Sequence, residues 1–306
     1  MLAYLVRRLA STVPVLVLVS IFVFGFVHAL PGDPARLEAG PEASLADIEA
    51  IRRDMGLDGP IWSQYLRWAG NTLALRLGQS SKTRQPVAQV IGERFMPTIW
   101  LTLVSMVWAT VAGVGIGVLS GVRRGRWPDK AGMVLAISGV SFPSFWLGLL
   151  LIDLFSVRLG WLPTGGYGTW QHFVMPSFAL GIGVAAIMAR FTRSAFVEIM
   201  AEDYVRTARM KGVPEPRIAW RHTLRNALIP VITLTGLQFG FLLGGAVVIE
   251  TVFSWPGLGR LLVDSVSFRD YPVIQAEIML FSIEFILINL AVDVLYAVAN
   301  PEIRLR

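Results

Sequence analysis

Cysteine is absent from the 306 residues of the chain, and charged residues are scarce at 16%. The first absence excludes disulfide bonds, thiolate catalysis and cysteine-ligated zinc or iron–sulfur sites. The second, together with a hydrophobic fraction of 54%, is not typical of a soluble globular domain. The composition indicates a protein whose solvent is lipid.

Other chemical signatures are missing as well. The three histidines are scattered, and neither His-Glu-x-x-His nor Gly-x-Ser-x-Gly occurs, which argues against an intramembrane enzyme. None of the three lysines completes Gly-x4-Gly-Lys-Ser/Thr, so the chain has no phosphate loop. The net charge of +6 comes without a basic stripe interleaved with stacking aromatic residues, so we expect no nucleic-acid partner.

Six apolar runs of roughly 20 residues are long enough to cross a hydrocarbon core as helices. A membrane β-barrel would instead show segments of about ten residues with alternating polarity. The spans are predicted at 9–30, 96–122, 131–157, 173–189, 228–253 and 273–299. We therefore predict an all-α polytopic membrane protein with six transmembrane helices.

Basic residues set the expected orientation. Arg7 and Arg8 precede the first span, and 16 of the 27 Lys and Arg residues fall in segments that an N-in, C-in topology places inside. A cleaved signal peptide is the alternative for the first span, but the run is too long and no clear cleavage site follows. At the outer end of the third span, Arg158 is expected to pair with Asp153.

Residues 31–95 form a polar segment between the first two spans, on the outer side. It opens with LPGDPARL, in which two prolines and a glycine end the helix. Ser44 and Asp47 form a capping pattern for one helix, and Pro60 begins a second, amphipathic helix. We expect a small helical periplasmic segment rather than a disordered linker.

Two patterns inside the spans concern helix packing. Gly113, Gly117 and Gly121 recur at every fourth residue, the spacing that lets two membrane helices approach closely. Pro143, within SFPSF, removes a backbone hydrogen bond and predicts a kink in the third span.

The inner loop 190–227 is the largest feature on the cytoplasmic side. Helical spacing continues through EDYVRTARMKG, where Lys211, Gly212 and Pro214 supply the cation, turn residue and breaker of a helix end. A second helix is predicted in PRIAWRHTLRNALIP. This pair of helices suits docking of a protein, although composition alone leaves open that its basic residues only hold the loop inside by interacting with anionic lipid.

The order of residues in this loop favours docking. YVRTARMKG followed by HTLRNALIP resembles the cytoplasmic coupling loop of binding-protein-dependent ABC importer permeases, in their peptide and nickel branch. Where the wider family has Glu-Ala-Ala, three residues and Gly, this chain has Arg206, Thr207, Ala208 and Gly212. Arg206 thus replaces the family acid, and the long distance from Gly212 to Pro230 also resembles the peptide branch.

The resemblance covers almost the whole chain. It includes LPGDPARL after the first span, MPTIWLTL in the second, ISGVSFPSFWLG in the third and VFSWPGLGRLLVDSV before the sixth. Within the branch, PGDPARLEAGPEA and MLFSIEFILINLAVDVLYA look most similar to glutathione permeases. Dipeptide, oligopeptide and nickel permeases share these motifs, and the local chemistry does not report the solute.

The resemblance implies a type I ABC importer permease fold in the bacterial cytoplasmic membrane. The chain would divide into a tail with the first span (1–30), the outer segment (31–95) and the permease core (96–306). It would move short peptides inward by alternating access without being an enzyme itself. ATP and Mg would bind a cytosolic ATPase partner, and no cofactor or metal would bind this chain.

The resemblance also implies further partners and residue roles. A second permease chain of different sequence would pair with this one, and an external solute-binding protein would bind the outer segment. In the coupling loop, Thr207 and Ala208 would be small groups that let the ATPase approach, and Gly212 would form the turn. Arg206 and Lys211 would make contacts at the rim.

Acidic residues inside the spans offer a rival function. Glu277 and Glu284 lie seven residues apart on one face of the sixth span, and acids in lipid could carry ions in a secondary transporter. Glu284, the deeper of the two, would line the translocation path or bond a neighbouring helix. Gln238 and Asn289 are further path candidates, for which interhelical contacts are the alternative.

Overall fold

The computed structural model describes residues 2–29, 35–36, 43–54 and 56–299. Within these residues the regular structure is helical, apart from one isolated bridge between Gln79 and Pro86. An all-helical chain is what a lipid solvent requires, because each helix satisfies its own backbone hydrogen bonds. Most of the LPGDPARL turn lies outside the described residues.

Eleven α-helices of eight residues or more carry the described part of the chain. They are α1 (Leu2–Ala29), α2 (Leu45–Asp54), α3 (Ile61–Leu73), α4 (Val87–Val122), α5 (Trp127–Ser141), α6 (Ser144–Leu151, continued by a π-helical stretch at Ile152–Arg158), α7 (Trp170–Met200), α8 (Asp203–Met210), α9 (Arg225–Val252, preceded by a turn at Glu215–Arg217 and a π-helical stretch at Ile218–Leu224), α10 (Leu258–Phe268) and α11 (Tyr271–Ala299).

Five helices, α1, α4, α7, α9 and α11, contain a stretch long and apolar enough to cross a membrane. The remaining candidate span is a broken pair formed by α5 and the helix that starts at α6, whose axes differ by 99°. The break falls at Phe142 and Pro143, where the backbone is not helical. The predicted interruption at Pro143 is confirmed, but the chain turns a corner there rather than bending slightly.

Several helices extend beyond the spans predicted from hydropathy. The helix α4 begins at Val87, upstream of the expected start at residue 96, and α7 runs from Trp170 to Met200 around the expected 173–189. Hydropathy locates the lipid-facing part of a helix, whereas the helix itself continues until its backbone hydrogen bonds end.

The described residues form two compact units, and the first contains residues up to Met96 together with Leu261–Ile286. In this unit α3 packs against α1. The phenol of Tyr65 is hydrogen-bonded to the hydroxyl of Ser20 at 2.8 Å, and the ring of Phe24 contacts Tyr65 and Trp68. The outer amphipathic helix is therefore ordered by aromatic packing on the first span.

The outer segment has two further defined features in this unit. The backbone N–H of Asp47 donates to Ser44 Oγ at 3.2 Å, and Ser44 N–H donates to the Asp47 carboxylate at 3.1 Å, so the predicted cap of α2 is confirmed. The Ser44 hydroxyl, which donates to the Asp47 carboxylate at 2.7 Å, and the Ser44 N–H lower the pKa of Asp47. The buried carboxylate of Asp270 accepts hydrogen bonds from the Ser80 hydroxyl and the Ser81 backbone, which ties the 79–86 loop to the start of α11.

The second unit contains Pro97–Arg260 and the described residues from Leu287 onward. Its centre is α7, which packs against α5, α6 and α9. A Cβ atom added at Gly113 would lie 2.6 Å from the backbone oxygen of Ala185, and one at Gly117 would lie 2.6 Å from that of Ala189. At Gly121 it would lie 2.7 Å from an aromatic ring on α7. The predicted close helix approach is confirmed, and α7 is the helix approached.

This contact predicts that alanine destabilises the protein at Gly117 of α4 but not at the neighbouring Gly115. Gly117→Ala should lower the free energy of unfolding by roughly 1–3 kcal/mol, because the added methyl group overpacks a helix contact. Gly115→Ala is the matched control, since a Cβ there meets nothing within 4 Å. Thermal unfolding of the two variants in the same detergent makes the comparison; equal midpoints would contradict the assigned contact.

Candidate functional site

The candidate site is the inner loop between α7 and α9. The helical pattern of the sequence is continuous here, but the structure ends α7 at Met200 and starts α8 at Asp203. Glu202 has extended backbone geometry, and Asp203 places a carboxylate in the first turn of α8, where negative charge favours the helix start. The loop therefore presents a short separate helix rather than an extension of α7.

A small set of contacts fixes α8 on the protein. Val205 is fully buried, while the phenol of Tyr204 donates to the backbone oxygen of His222 at 3.1 Å. The amide of Asn226 donates to the same phenol at 2.8 Å. Through these contacts α8 packs on the π-helical stretch 218–224.

The end of α8 has the predicted turn. Gly212 has a φ of +75°, a region that side-chain-bearing residues rarely adopt. Its N–H donates to Arg209 O at 2.9 Å, and the N–H of Val213 donates to Ala208 O at 3.2 Å. The second predicted helix is not a separate element, because the chain passes from Glu215 through the π-helical stretch directly into α9.

The structure brings the five predicted coupling residues together on α8 and its C-terminal turn. Arg206, Thr207, Lys211 and Gly212 are exposed, and Ala208 is half-buried. Arg206 lies 3.4 Å from Asp203 in an ion pair whose side chains are 68% and 96% exposed, and such surface pairs contribute little stability. These side chains are thus free to meet a protein partner, and their role in coupling stays a prediction.

Two large apolar side chains of the same loop were not singled out from the sequence. Met210 is 81% exposed and Trp220 is 68% exposed, so the loop exposes apolar as well as basic side chains. The guanidinium of Arg209 forms two hydrogen bonds to Glu215, at 2.6 and 3.3 Å. This pair raises the pKa of Arg209 and closes the Gly212 turn.

The predicted path residues lie on long helices. Gln238 of α9 is 5% exposed, Glu284 of α11 is 7% exposed and Asn289 of α11 is half-buried. Among the described residues, neither carboxylate oxygen of Glu284 has a hydrogen-bond partner. Glu277, expected nearer the end of the span, is fully buried. Their role in the path stays a prediction.

An apolar cavity of about 900 Å³ lies in the second unit. Its walls are mostly aromatic and aliphatic, and they include Trp100, Trp108, Phe155, Phe173 and Phe178. The predicted path residues do not line it. An apolar lining of this kind offers few groups that could orient a charged solute.

Glu250, an acid of α9 that the sequence reasoning passed over, is fully buried. Its carboxylate accepts hydrogen bonds from the Thr98 hydroxyl at 2.6 Å and from the Arg260 backbone at 3.1 Å. The backbone N–H of Leu258 donates to the Thr98 hydroxyl at 2.8 Å. A Cβ on Gly257 would lie 2.2 Å from the carboxylate, so Gly257 is the residue that lets the chain pass. The sequence feature that could have indicated this contact is the run ETVFSWPGLGR, which contains both Glu250 and Gly257.

Two family models together match nearly the whole chain. Residues 113–305 match the family described as binding-protein-dependent transport system inner membrane component. Residues 1–102 match the family of the N-terminal part of the same membrane component. Neither match depends on the short coupling loop alone.

Curated relatives match at full length. The chain is 60% identical over 304 residues to the glutathione transport system permease protein GsiC of Escherichia coli K12, with 99% of each chain covered. It is 59% identical, at the same coverage, to the protein of that name from Shigella flexneri serotype 5b.

Solved structures resemble the fold. The inward-facing MetNI methionine ABC transporter matches with a TM-score of 0.60 and 22% identity, over 70% of this chain and 98% of that chain. An amino acid ABC transporter with histidines matches with a TM-score of 0.52 and 18% identity, over 69% of this chain and 92% of that chain.

Proposed function

Because the chain belongs to the family of binding-protein-dependent transport system inner membrane components, we propose that the solute it moves into the cytoplasm is glutathione or a closely related short peptide. The chain is a permease subunit of an ABC importer in the inner membrane, and a separate ATPase and a solute-binding protein work with it. The observation that carries the substrate class is 60% identity over the full length to a glutathione permease. The rival hypothesis, that the chain is an ion-coupled carrier, has no comparable support.

The surface of α8 is the proposed contact with the ATPase. Arg206 and Lys211 would contact its rim, Thr207 and Ala208 would let it approach, and Gly212 would hold the turn. ATP and Mg²⁺ would bind the ATPase, since this chain has no phosphate loop. The exposed basic and apolar side chains of α8 and its neighbours support this assignment.

The translocation path is proposed to form with a second permease chain of different sequence. Glu284 and Gln238 are polar side chains buried in apolar helices, and such residues commonly face a path or another helix. Asn289 lies on the same helix as Glu284. A second chain would complete the walls around these residues.

The substrate prediction is tested by uptake. Vesicles that contain the complete transporter and its binding protein should accumulate radiolabelled glutathione when ATP is supplied on the side of the membrane that the ATPase faces. Unlabelled glutathione should compete, whereas nickel ions should not. If a dipeptide competed and unlabelled glutathione did not, the glutathione assignment would be wrong, and the substrate would be another one transported by the same branch of the family.

The partner prediction is tested by purification through a tag on this chain. Gentle solubilisation should recover an ATPase with a phosphate loop and a second permease that mass spectrometry distinguishes from the tagged chain. Recovery of the ATPase with the tagged chain as its only permease would overturn the prediction of a different partner chain.

The coupling prediction is tested by charge reversal on α8. Arg206→Glu with Lys211→Glu should abolish solute-stimulated ATP hydrolysis without lowering the amount of protein in the membrane, because both side chains are exposed. Arg304→Glu with Arg306→Glu makes the same change of charge in the predicted inner segment 300–306, outside the described residues, and should leave hydrolysis unchanged. Unchanged hydrolysis in the first variant would reject the assigned contacts.

A further inference from the structure

An ion pair at the inner end of the second unit has no role in the site described above. The guanidinium of Arg193 on α7 donates to both carboxylate oxygens of Asp129 on α5, at 2.5 and 2.8 Å. The Asp129 side chain is 5% exposed and that of Arg193 is 27% exposed. The pair is therefore largely shielded from water, unlike the ion pairs of α8.

The Asp129 carboxylate also holds the turn that precedes α5. The N–H of Gly125 donates to it at 2.8 Å, and Gly125 has a φ of +76°. Asp129 lies in the first turn of α5, where a negative charge interacts favourably with the helix dipole. A single carboxylate thus fixes three things at once: the turn, the start of α5 and the inner part of α7.

The same region brings α4 into contact with both helices. A Cβ added at Gly132 of α5 would lie 2.5 Å from the Ser120 hydroxyl of α4, and one at Gly121 of α4 would lie 2.7 Å from the Phe196 ring of α7. Helices α4, α5 and α7 therefore meet within van der Waals contact at their inner ends. Close packing of this kind transmits displacement rather than absorbing it.

Arg193 also lies close to the coupling helix along the chain. It is seven residues before the end of α7 at Met200, a distance of about 10 Å along a helix. The helix α8 begins three residues later, at Asp203. A displacement of α8 would pass through the joint at residues 201–202 and then through two turns of continuous helix before it reaches Arg193.

We propose that the Asp129–Arg193 ion pair is a positioning device that makes α5 move with α7 when the ATPase displaces α8. The inference rests on the proposed coupling role of α8 and extends it to a contact inside the permease. A guanidinium with two hydrogen bonds to one carboxylate fixes orientation as well as distance. An apolar contact at this place would hold the helices together but would allow them to slide or rotate.

A purely structural role for the pair makes a different prediction. Loss of one partner leaves a buried charge unpaired, which destabilises a protein whatever its function. The yield of folded protein would then fall, and the remaining folded molecules would work normally. A positioning role requires that folded, ATPase-bound complexes hydrolyse ATP but transport less solute for each ATP.

The experiment uses the complete complex, with Asp129→Asn and Arg193→Gln as test variants. Glutathione transported per ATP hydrolysed should fall about five- to 150-fold, the range of ordinary coupling between sites, while ATPase remains bound. Asp129→Arg with Arg193→Asp should recover part of the loss. The matched control is Asp153→Asn, which breaks the exposed pair with Arg158 at 2.8 Å and should leave the ratio unchanged.

A second readout needs no solute, because the cysteine-free chain accepts spin labels at chosen sites. Val134→Cys on α5 and Ala201→Cys after α7 are both exposed. Their distance should stay single and narrow with and without ATP, Mg²⁺ and vanadate in the parent chain. In Asp129→Asn it should broaden or shift when the nucleotide is trapped.

The outcomes separate the two proposals. An unchanged label distance in Asp129→Asn, with a normal transport ratio, would overturn the ion pair's role while leaving α8 as the coupling helix. Loss of folded protein with a normal ratio in what remains would equally overturn it. Normal hydrolysis after charge reversal on α8 would instead reject the coupling role of α8.

Discussion

Backbone contact between α4 and α7 is the constraint on which the second unit depends. In lipid, apolar side chains gain little by leaving their solvent, so helices associate through close packing and hydrogen bonds. Gly113 and Gly117 let the two backbones meet. The indole of Trp108 on α4 adds a hydrogen bond to the backbone oxygen of Ser177 on α7 at 3.0 Å. This contact fixes the position of the inner extension of α7, and therefore of the point from which the chain continues into α8.

The buried carboxylates explain how irregular backbone is tolerated beside the spans. A peptide group that leaves a helix loses its helical hydrogen bond and needs another partner. Glu250 accepts the backbone N–H of Arg260 after α9, and Asp129 accepts that of Gly125 before α5. Each acid also bonds a side chain of a second helix. A carboxylate therefore satisfies a loop and fixes a helix in one step.

The sequence predicted the features whose cause is local. Span positions follow from hydropathy, the cap of α2 from Ser44 and Asp47, and the Gly212 turn from residue type. It did not reveal the break between Met200 and Asp203, because both sides have helical spacing, nor the 99° corner at Pro143, whose size depends on packing. Glu250 was missed because its partner, Thr98, lies 152 residues away in the chain. The identity of residues at a tertiary contact is not encoded in either segment alone.

The connections on the two sides of α8 differ, and this difference bears on how a displacement of α8 would pass to the membrane helices. Towards α7 the joint is two residues long, so displacement passes into a continuous helix. Towards α9 it consists of the Gly212 turn and the stretch 218–224. Short π-helical stretches of this kind are rare and occur frequently at functional sites. Val205 and Tyr204 hold α8 on that stretch, so side-chain contacts attach α8 to α9 while a two-residue joint attaches it to α7. In the proposed coupling, a displacement of α8 would therefore enter the membrane helices along both routes.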